Sequence, residues 1–123
     1  MSCIDDGNPC VTIQVLTVLE YLDRAGSSPF AGWFRRLDAA AAARVTTALR
    51  RLELGNVSNV KGVGSGVFEY RIDFGPGYPV YFGKDGEAFV ILLGGGTKKR
   101  QADDIADAHD RWTDYKRCKT QET

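Results

Sequence analysis

A stretch of alternating residues in the second half of the chain limits the fold more than any other feature. Over residues 67–74 the side chains alternate between apolar and charged, which is the period of a half-buried β-strand. The pattern predicts one face in the core and one outward face with Glu69, Arg71 and Asp73. The apolar face consists of Phe68, Tyr70, Ile72 and Phe74.

Two turn signals extend this strand into a three-stranded meander. Gly-Pro-Gly at residues 75–77 supplies turn chemistry, and residues 78–82 are predicted as the return strand. Asp85 and Gly86 form a strong hairpin signal before the apolar run at residues 88–93. Such a run is expected of a strand that is buried on both faces.

The register of the first hairpin follows if residues 75–77 form its loop. We then predict that Tyr81 is an outward, functional tyrosine and that Tyr78 lies in the core. A slip of one residue would exchange the two faces. The predicted pairs are Phe74 with Tyr78, Ile72 with Val80, Tyr70 with Phe82, Arg71 with Tyr81, and Asp73 with Pro79.

The remaining segments predict one strand and three helices. Alternation at residues 11–15 predicts a first strand that ends near Leu19, and the glycine-rich residues 57–66 are predicted as a loop. Ser28 and Asp38 are helix caps for two short-linked helices. The order β-α-α-β-β-β-α predicts an α+β domain. The last helix has one apolar face with Ile105, Ala108, His109, Trp112 and Tyr115, in which His109 is predicted to be structural.

Length and composition fit a single domain of ordinary polarity. The 123 residues are 43% hydrophobic and 26% charged, which predicts an extension at residues 1–10, a domain at 11–117 and a tail at 118–123. No apolar run approaches the roughly 20 residues that span a bilayer, and the acidic first residues lack the features of a secretion signal. We therefore expect a cytoplasmic protein. Cys3, Cys10 and Cys118 are expected to be free thiols, with no metal or cofactor.

A glycine run followed by cations is the most phosphate-friendly segment of the chain. Residues 94–96 are all glycine, and Lys98, Lys99 and Arg100 precede the last helix. Helix N-termini favour anions, although the segment also fits a flexible joint without function. Lys61 in the predicted loop could reach a phosphate or simply be solvated. The surplus of basic residues over 24–71 likewise fits either a polyanion-binding face or ordinary solvated helix faces.

Four segments carry a resemblance to a known family. They are PFAGWFRRL, RRLELGN, VKGVGSGVFEYRIDFGPGYPVYF and ILLGGGTKKRQADDI. Together they resemble the RelE/ParE superfamily of type II toxins, and most closely its HigB-like, or addiction module killer, branch. The resemblance implies an N-terminal strand and a two-helix hairpin packed on a twisted antiparallel sheet. It also implies a cognate antitoxin encoded by an adjacent gene.

The resemblance implies two alternative targets. RelE-like members are ribosome-dependent endoribonucleases that cut mRNA, whereas ParE-like members bind DNA gyrase and lack the nuclease residues. Arg71 matches the basic residue of the first meander strand, and Lys98 matches the one after the last strand. Pro79 departs from the pattern because the branch commonly has an outward arginine there. Asp103 and Asp104 stand where nuclease members place a tyrosine.

Metal-free RNA cleavage assigns roles to these residues. Arg71 and Lys98, with Lys99 and Arg100 beside the latter, would stabilise charge on the phosphate. Tyr81 serves as acid or base only if a cation lowers its pKa, and otherwise it stacks on a base. Glu69 is a candidate base or a partner of Arg71. A charge ladder on the surface, a gyrase-binding toxin and an inactive relic that still binds antitoxin remain alternatives.

Overall fold

A five-stranded sheet with helices on both faces forms the domain. The structure is a computed structural model, and it describes residues 16–122. Within that range three α-helices and a short 3₁₀ turn accompany the strands. The elements in chain order are β1 (Thr17–Glu20), α1 (Pro29–Arg35), α2 (Ala39–Glu53), β2 (Val60–Gly62), β3 (Val67–Ile72), β4 (Tyr78–Asp85), β5 (Phe89–Gly95), the 3₁₀ turn (Lys98–Arg100) and α3 (Gln101–Glu122).

The sheet is mixed, with the strand order β1-β5-β4-β3-β2. β1 pairs with β5 in parallel, and the other three pairings are antiparallel. The expectation of an antiparallel sheet was therefore wrong for β1. No hairpin links β1 to β5, so local turn chemistry does not determine their relative direction. The alternating residues 11–15, predicted as part of the first strand, lie outside the described residues.

Both predicted hairpins are present, but two details differ from the prediction. β3 and β4 pair with Ile72 opposite Tyr78, which is two residues away from the predicted register. The loop is longer because it also takes in Asp73 and Phe74. An even shift leaves every side chain on its predicted face. The prediction of a loop over residues 57–66 is also wrong in part, because Val60–Gly62 form β2 and pair with β3. A strand of three residues that ends in glycine is too short to show an alternating pattern.

Both N-terminal helices begin at the predicted caps. The Ser28 hydroxyl accepts a hydrogen bond from the Ala31 N–H at 2.9 Å, and the Asp38 carboxylate accepts one from the Ala41 N–H at 2.8 Å. These bonds satisfy N–H groups that have no partner within the helix. The two helices pack as a hairpin on one face of the sheet through their apolar residues.

Two separate cores lie on the two faces of the sheet. The larger one lies under α1 and α2, and the smaller one lies under α3. Each contains a tryptophan that packs directly on a glycine: a Cβ on Gly95 would lie 2.4 Å from the Trp33 ring, and one on Gly83 would lie 2.5 Å from the Trp112 ring. Glycine at these strand positions lets each helix approach the sheet closely. The smaller core contains Tyr21, Val67, Tyr81, Ile91, Leu93, Ala108 and Trp112.

Polar contacts fix α3 over its face of the sheet. His109 Nε2 lies 3.0 Å from the Val63 carbonyl oxygen, in line with the structural role predicted for this histidine. The Tyr21 hydroxyl donates to Asp114 at 2.6 Å. Burial and this bond raise the pKa of Tyr21 to about 12. Cys118 is exposed, and its thiol is free among the described residues, as predicted, whereas Cys3 and Cys10 lie outside those residues. Over residues 16–122, no helix has the length and apolar character needed to cross a membrane.

Candidate functional site

A row of candidate site residues crosses the sheet on the face that α3 covers. Lys61 on β2 is opposite Glu69 on β3, and Glu69 is opposite Tyr81 on β4. Two residues further along β3, Arg71 is opposite Pro79. Because side chains alternate along a strand, all five lie on the same face. The predicted site residues of the meander are thus brought together by strand pairing alone.

Glu69 is the centre of this row and is almost completely buried. Its side chain is 1% exposed, whereas Lys61 and Arg71 on either side are 60% and 42% exposed. The Lys61 ammonium lies 3.6 Å from Glu69 Oε1, and Arg71 Nη2 lies 3.9 Å from Glu69 Oε2. A buried acid is therefore held beneath two cations that face solvent. Their charged groups remain accessible to an anion.

The start of α3 joins this arrangement through one side chain. Gln101 donates from Nε2 to Glu69 Oε2 at 3.1 Å. The 3₁₀ turn with Lys98, Lys99 and Arg100 immediately precedes Gln101, and all three cations are exposed. The structure therefore brings the predicted cations of the turn to the same end of the sheet as Arg71. We refer to Lys61, Glu69, Arg71 and Gln101 as the carboxylate–cation cluster.

Tyr81 is not outward, and this prediction was wrong. The side chain is 1% exposed because α3 packs over it, and its hydroxyl has no hydrogen-bond partner among the described residues. Burial raises the pKa of Tyr81, and the nearby carboxylates of Glu69 and Asp104 raise it further. Arg71 only partly offsets these effects. The lowered pKa that acid–base work by Tyr81 required is therefore not met.

Sequence reasoning missed Asp104 as part of this region. Asp104 Oδ2 is buried without a hydrogen-bond partner among residues 16–122, and a Cβ on Gly96 would lie 1.9 Å from it. Burial raises the pKa of Asp104, against the opposing effects of Arg100 and the Thr97 N–H. The glycine run thus makes room for this carboxylate. An acid in the first turn after three glycines was the available signal, whereas nothing in the sequence marked Gln101.

The cluster opens into a cleft at the β2 edge of the sheet. This cleft has a volume of about 270 Å³ and is bordered by Lys61, Glu69, Arg71 and Asp73. A larger groove of about 390 Å³ lies between α1, α2 and β1, but none of the predicted site residues lines it. The cluster therefore has its own solvent access. Within the described residues, no three His, Cys, Asp or Glu side chains converge in a way that could hold a metal ion.

The chemistry open to this arrangement is anion binding by exposed cations. Among residues 16–122, the Lys61 ammonium and the Arg71 guanidinium both pair with Glu69, which lies beneath them and not on their solvent side. Arg71 can present its fork of N–H donors to a phosphate. Glu69 lies beneath these cations, so it orients them directly and reaches a bound molecule only if they move aside.

A search of curated proteins finds a relative in Haemophilus influenzae, described as an uncharacterized protein. The two sequences are 38% identical over 99 residues, which cover 80% of this chain and 91% of the relative. Identity and coverage at this level are those of two members of one protein family. No protein-family model matches the chain, and no solved structure matches it.

Proposed function

We propose that this chain, which belongs to the same family as the uncharacterized Haemophilus influenzae protein, is the toxin of a type II toxin–antitoxin system. In this proposal it is a metal-independent endoribonuclease that cuts ribosome-bound mRNA and so inhibits translation. An antitoxin encoded by an adjacent gene is its natural partner. The support is the resemblance to RelE/ParE toxins together with the geometry of the carboxylate–cation cluster.

One observation carries this proposal. Glu69 is buried between Lys61 and Arg71, and Gln101 links it to the cationic start of α3. RNA cleavage without a metal needs preorganised positive charge where the phosphorane oxygens gain negative charge, and such charge usually contributes more to the rate than any other single effect. A site with exposed cations fixed from below supplies that charge without reorganisation during the reaction.

The proposed reaction is an internal transfer at phosphorus. The 2′-oxygen attacks the adjacent phosphorus and loses its proton, the bond to the 5′-oxygen breaks, and that oxygen takes up a proton. Arg71 and Lys98 stabilise the phosphorane oxygens, with Lys99 and Arg100 adding charge. Glu69 fixes Arg71, and it accepts the 2′-proton only if Lys61 and Arg71 move aside. Tyr81 stays protonated at neutral pH because its pKa is raised, but it is buried beneath α3, so it donates a proton to the 5′-oxygen only if α3 moves aside.

A second function is favoured by a different observation. Pro79 stands opposite Arg71 on the sheet, where the family branch commonly has an arginine, and it brings neither a charge nor a backbone N–H. Tyr81 is also buried. A site with fewer exposed catalytic groups suits a toxin that binds DNA gyrase or another target, or an inactive relic that still binds its antitoxin.

The test is Arg71→Ala, expressed in bacteria without the antitoxin. We expect the wild-type chain to arrest growth and to produce new mRNA ends on ribosomes. Arg71→Ala should lower the cleavage rate by about 10²-fold or more, because it removes a charge that acts in the transition state. Arg24→Ala, an exposed arginine in the turn before α1, is the matched control and should cleave normally.

The readouts separate the alternatives. The nuclease proposal would be contradicted if Arg71→Ala arrests growth as the wild type does and neither chain produces new mRNA ends. Inhibition of DNA gyrase supercoiling by the purified wild-type chain would then identify the gyrase-binding alternative. A chain that arrests nothing but still binds the product of the adjacent gene would be the relic.

A further inference from the structure

A second cleft shares Arg71 with the carboxylate–cation cluster but lies against α2. Its volume is about 320 Å³, and Arg44 and Arg51 of α2 line it together with Arg71 and Asn59. Arg44 and Arg51 are seven residues apart, so they lie on the same side of the helix and about 10 Å apart along its axis. We call this cavity, with Arg44, Arg51, Asn59 and Arg71, the arginine cleft.

The two arginines that α2 contributes to this cleft are held in position without a carboxylate partner among the described residues. The Arg44 guanidinium carbon lies 4.8 Å from the centre of the Phe74 ring, a cation–π contact that limits its freedom. Arg51 lies near the buried Tyr70 and opposes the rise in the pKa of that tyrosine that burial causes. Within residues 16–122 neither Arg44 nor Arg51 forms a salt bridge. Asp73 is the carboxylate among the lining residues.

We propose that the arginine cleft binds the phosphodiester backbone of a single nucleic-acid strand that continues from Arg71. Arg44 and Arg51 of α2 and Arg71 of β3 line one concave surface, and a guanidinium group can bind a phosphate in bidentate fashion. The spacing of Arg44 and Arg51 places them on different phosphates of the strand. As the path of an mRNA substrate, the proposal rests on the proposed function; as a phosphodiester site, it stands on the cleft alone.

The test compares two double variants that remove the same charge from the same helical hairpin. Arg44→Gln/Arg51→Gln alters the arginine cleft. Arg35→Gln/Arg50→Gln alters arginines that line the opposite groove, between α1, α2 and β1. Binding of fluorescent ten-residue oligouridylate and of its deoxy counterpart is measured by anisotropy over a range of salt concentrations. Thermal unfolding of both variants shows whether each retains its fold.

Loss of two phosphate contacts has a characteristic signature. We expect the cleft variant to lose at least tenfold in affinity, and the slope of log affinity against log salt to fall by about 1.4, at roughly 0.7 per contact for a single strand. The groove variant should bind like the wild type. Equal losses for the RNA and the DNA probe support recognition of phosphate, whereas a loss confined to RNA would overturn it in favour of 2′-hydroxyl recognition.

The outcomes also separate this inference from the nuclease proposal. Unchanged affinity and slope in the cleft variant, or a wild-type chain that binds neither probe, would overturn the inference even if the chain cleaves mRNA. A chain that does not cleave mRNA but loses probe binding in the cleft variant would refute the nuclease and keep the cleft. If the double variant unfolds, Arg51→Gln alone leaves the Arg44–Phe74 contact intact, and its slope should fall by about 0.7.

Discussion

The two faces of the sheet differ in the polarity of their buried side chains. The face under α1 and α2 is a continuous apolar core in which residues such as Val45 and Leu52 are fully buried. The face under α3 mixes a small apolar core with buried polar groups. Three buried side-chain atoms there have no hydrogen-bond partner among the described residues, namely Glu69 Oε1, the Tyr81 hydroxyl and Asp104 Oδ2.

This difference in polarity implies that the two faces contribute differently to the stability of the fold. A buried polar atom without a partner costs about 1–3 kcal/mol, so the α3 face is stabilised less than its size suggests. Natural proteins break such packing rules mainly at functional sites, and the rest of the structure compensates. We therefore expect the α1–α2 face to supply most of the stability, whereas the α3 face holds the candidate site. Each prediction below tests one side of that contrast.

The largest effect is expected in the apolar core. Leu52→Ala should lower the free energy of unfolding by about 2–5 kcal/mol, because it removes fully buried methyl groups and leaves a cavity. Urea unfolding followed by circular dichroism measures this change. Leu54→Ala, at a position that is 66% exposed just beyond α2, is the matched control and should change stability by less than about 0.5 kcal/mol. Comparable losses in both variants would contradict the assignment of stability to this face.

The apolar face was also the part of the fold that the sequence predicted best. The caps at Ser28 and Asp38 follow from the local sequence at each helix start, so no knowledge of other elements was needed. The assignment of side chains to the two sheet faces was predicted as well, because an error of two residues in the hairpin register leaves the faces unchanged.

What could not be predicted depended on contacts between distant elements. The alternation of residues 67–74 places Tyr81 on the charged side, but it does not reveal that α3 lies over that side. The parallel pairing of β1 with β5 joins the first and the last strand without a connecting turn. The contact of Gln101 with Glu69 likewise spans 32 positions. For the site, composition indicated which residue types matter, and tertiary packing decided which of them are exposed.

Two aspartates are expected to respond to pH in opposite directions. Bonds from Lys119 and Tyr115 lower the pKa of Asp85 below its ordinary value of 3.8, so its stabilising effect is present above that pH and is lost as pH falls through the lowered pKa. Burial raises the pKa of Asp104, so the folded state favours its protonated form, and stability falls as pH rises from 3.8 through the raised pKa.

Substitution by asparagine separates these two effects. At pH 7, Asp85→Asn should destabilise the protein by about 1 kcal/mol, whereas Asp104→Asn should stabilise it by about 1 kcal/mol by removing a buried charge. Both differences should shrink toward pH 3 in urea unfolding. If Asp104→Asn is destabilising at pH 7, then the ionised carboxylate is well satisfied, and the contrast between the two faces is weaker than proposed.

The smallest change in stability is expected from Tyr81→Phe, and it tests the α3 face most directly. The hydroxyl is buried without a partner among residues 16–122, so its removal should leave stability unchanged or raise it by up to about 1 kcal/mol. The effect should not vary between pH 6 and 9, because the pKa of Tyr81 is raised and the hydroxyl stays protonated throughout. Urea unfolding at several pH values measures both.

The same variant then separates a structural from a catalytic Tyr81. If Tyr81→Phe keeps its stability but loses mRNA cleavage, the protonated hydroxyl acts as a donor in the reaction, and the unpaired group is retained for chemistry. If both stability and cleavage persist, the catalytic charge rests on Arg71 and the cations before α3 alone. A loss of stability above about 1 kcal/mol would mean that the hydroxyl is satisfied in solution, and the α3 face would then be an ordinary core.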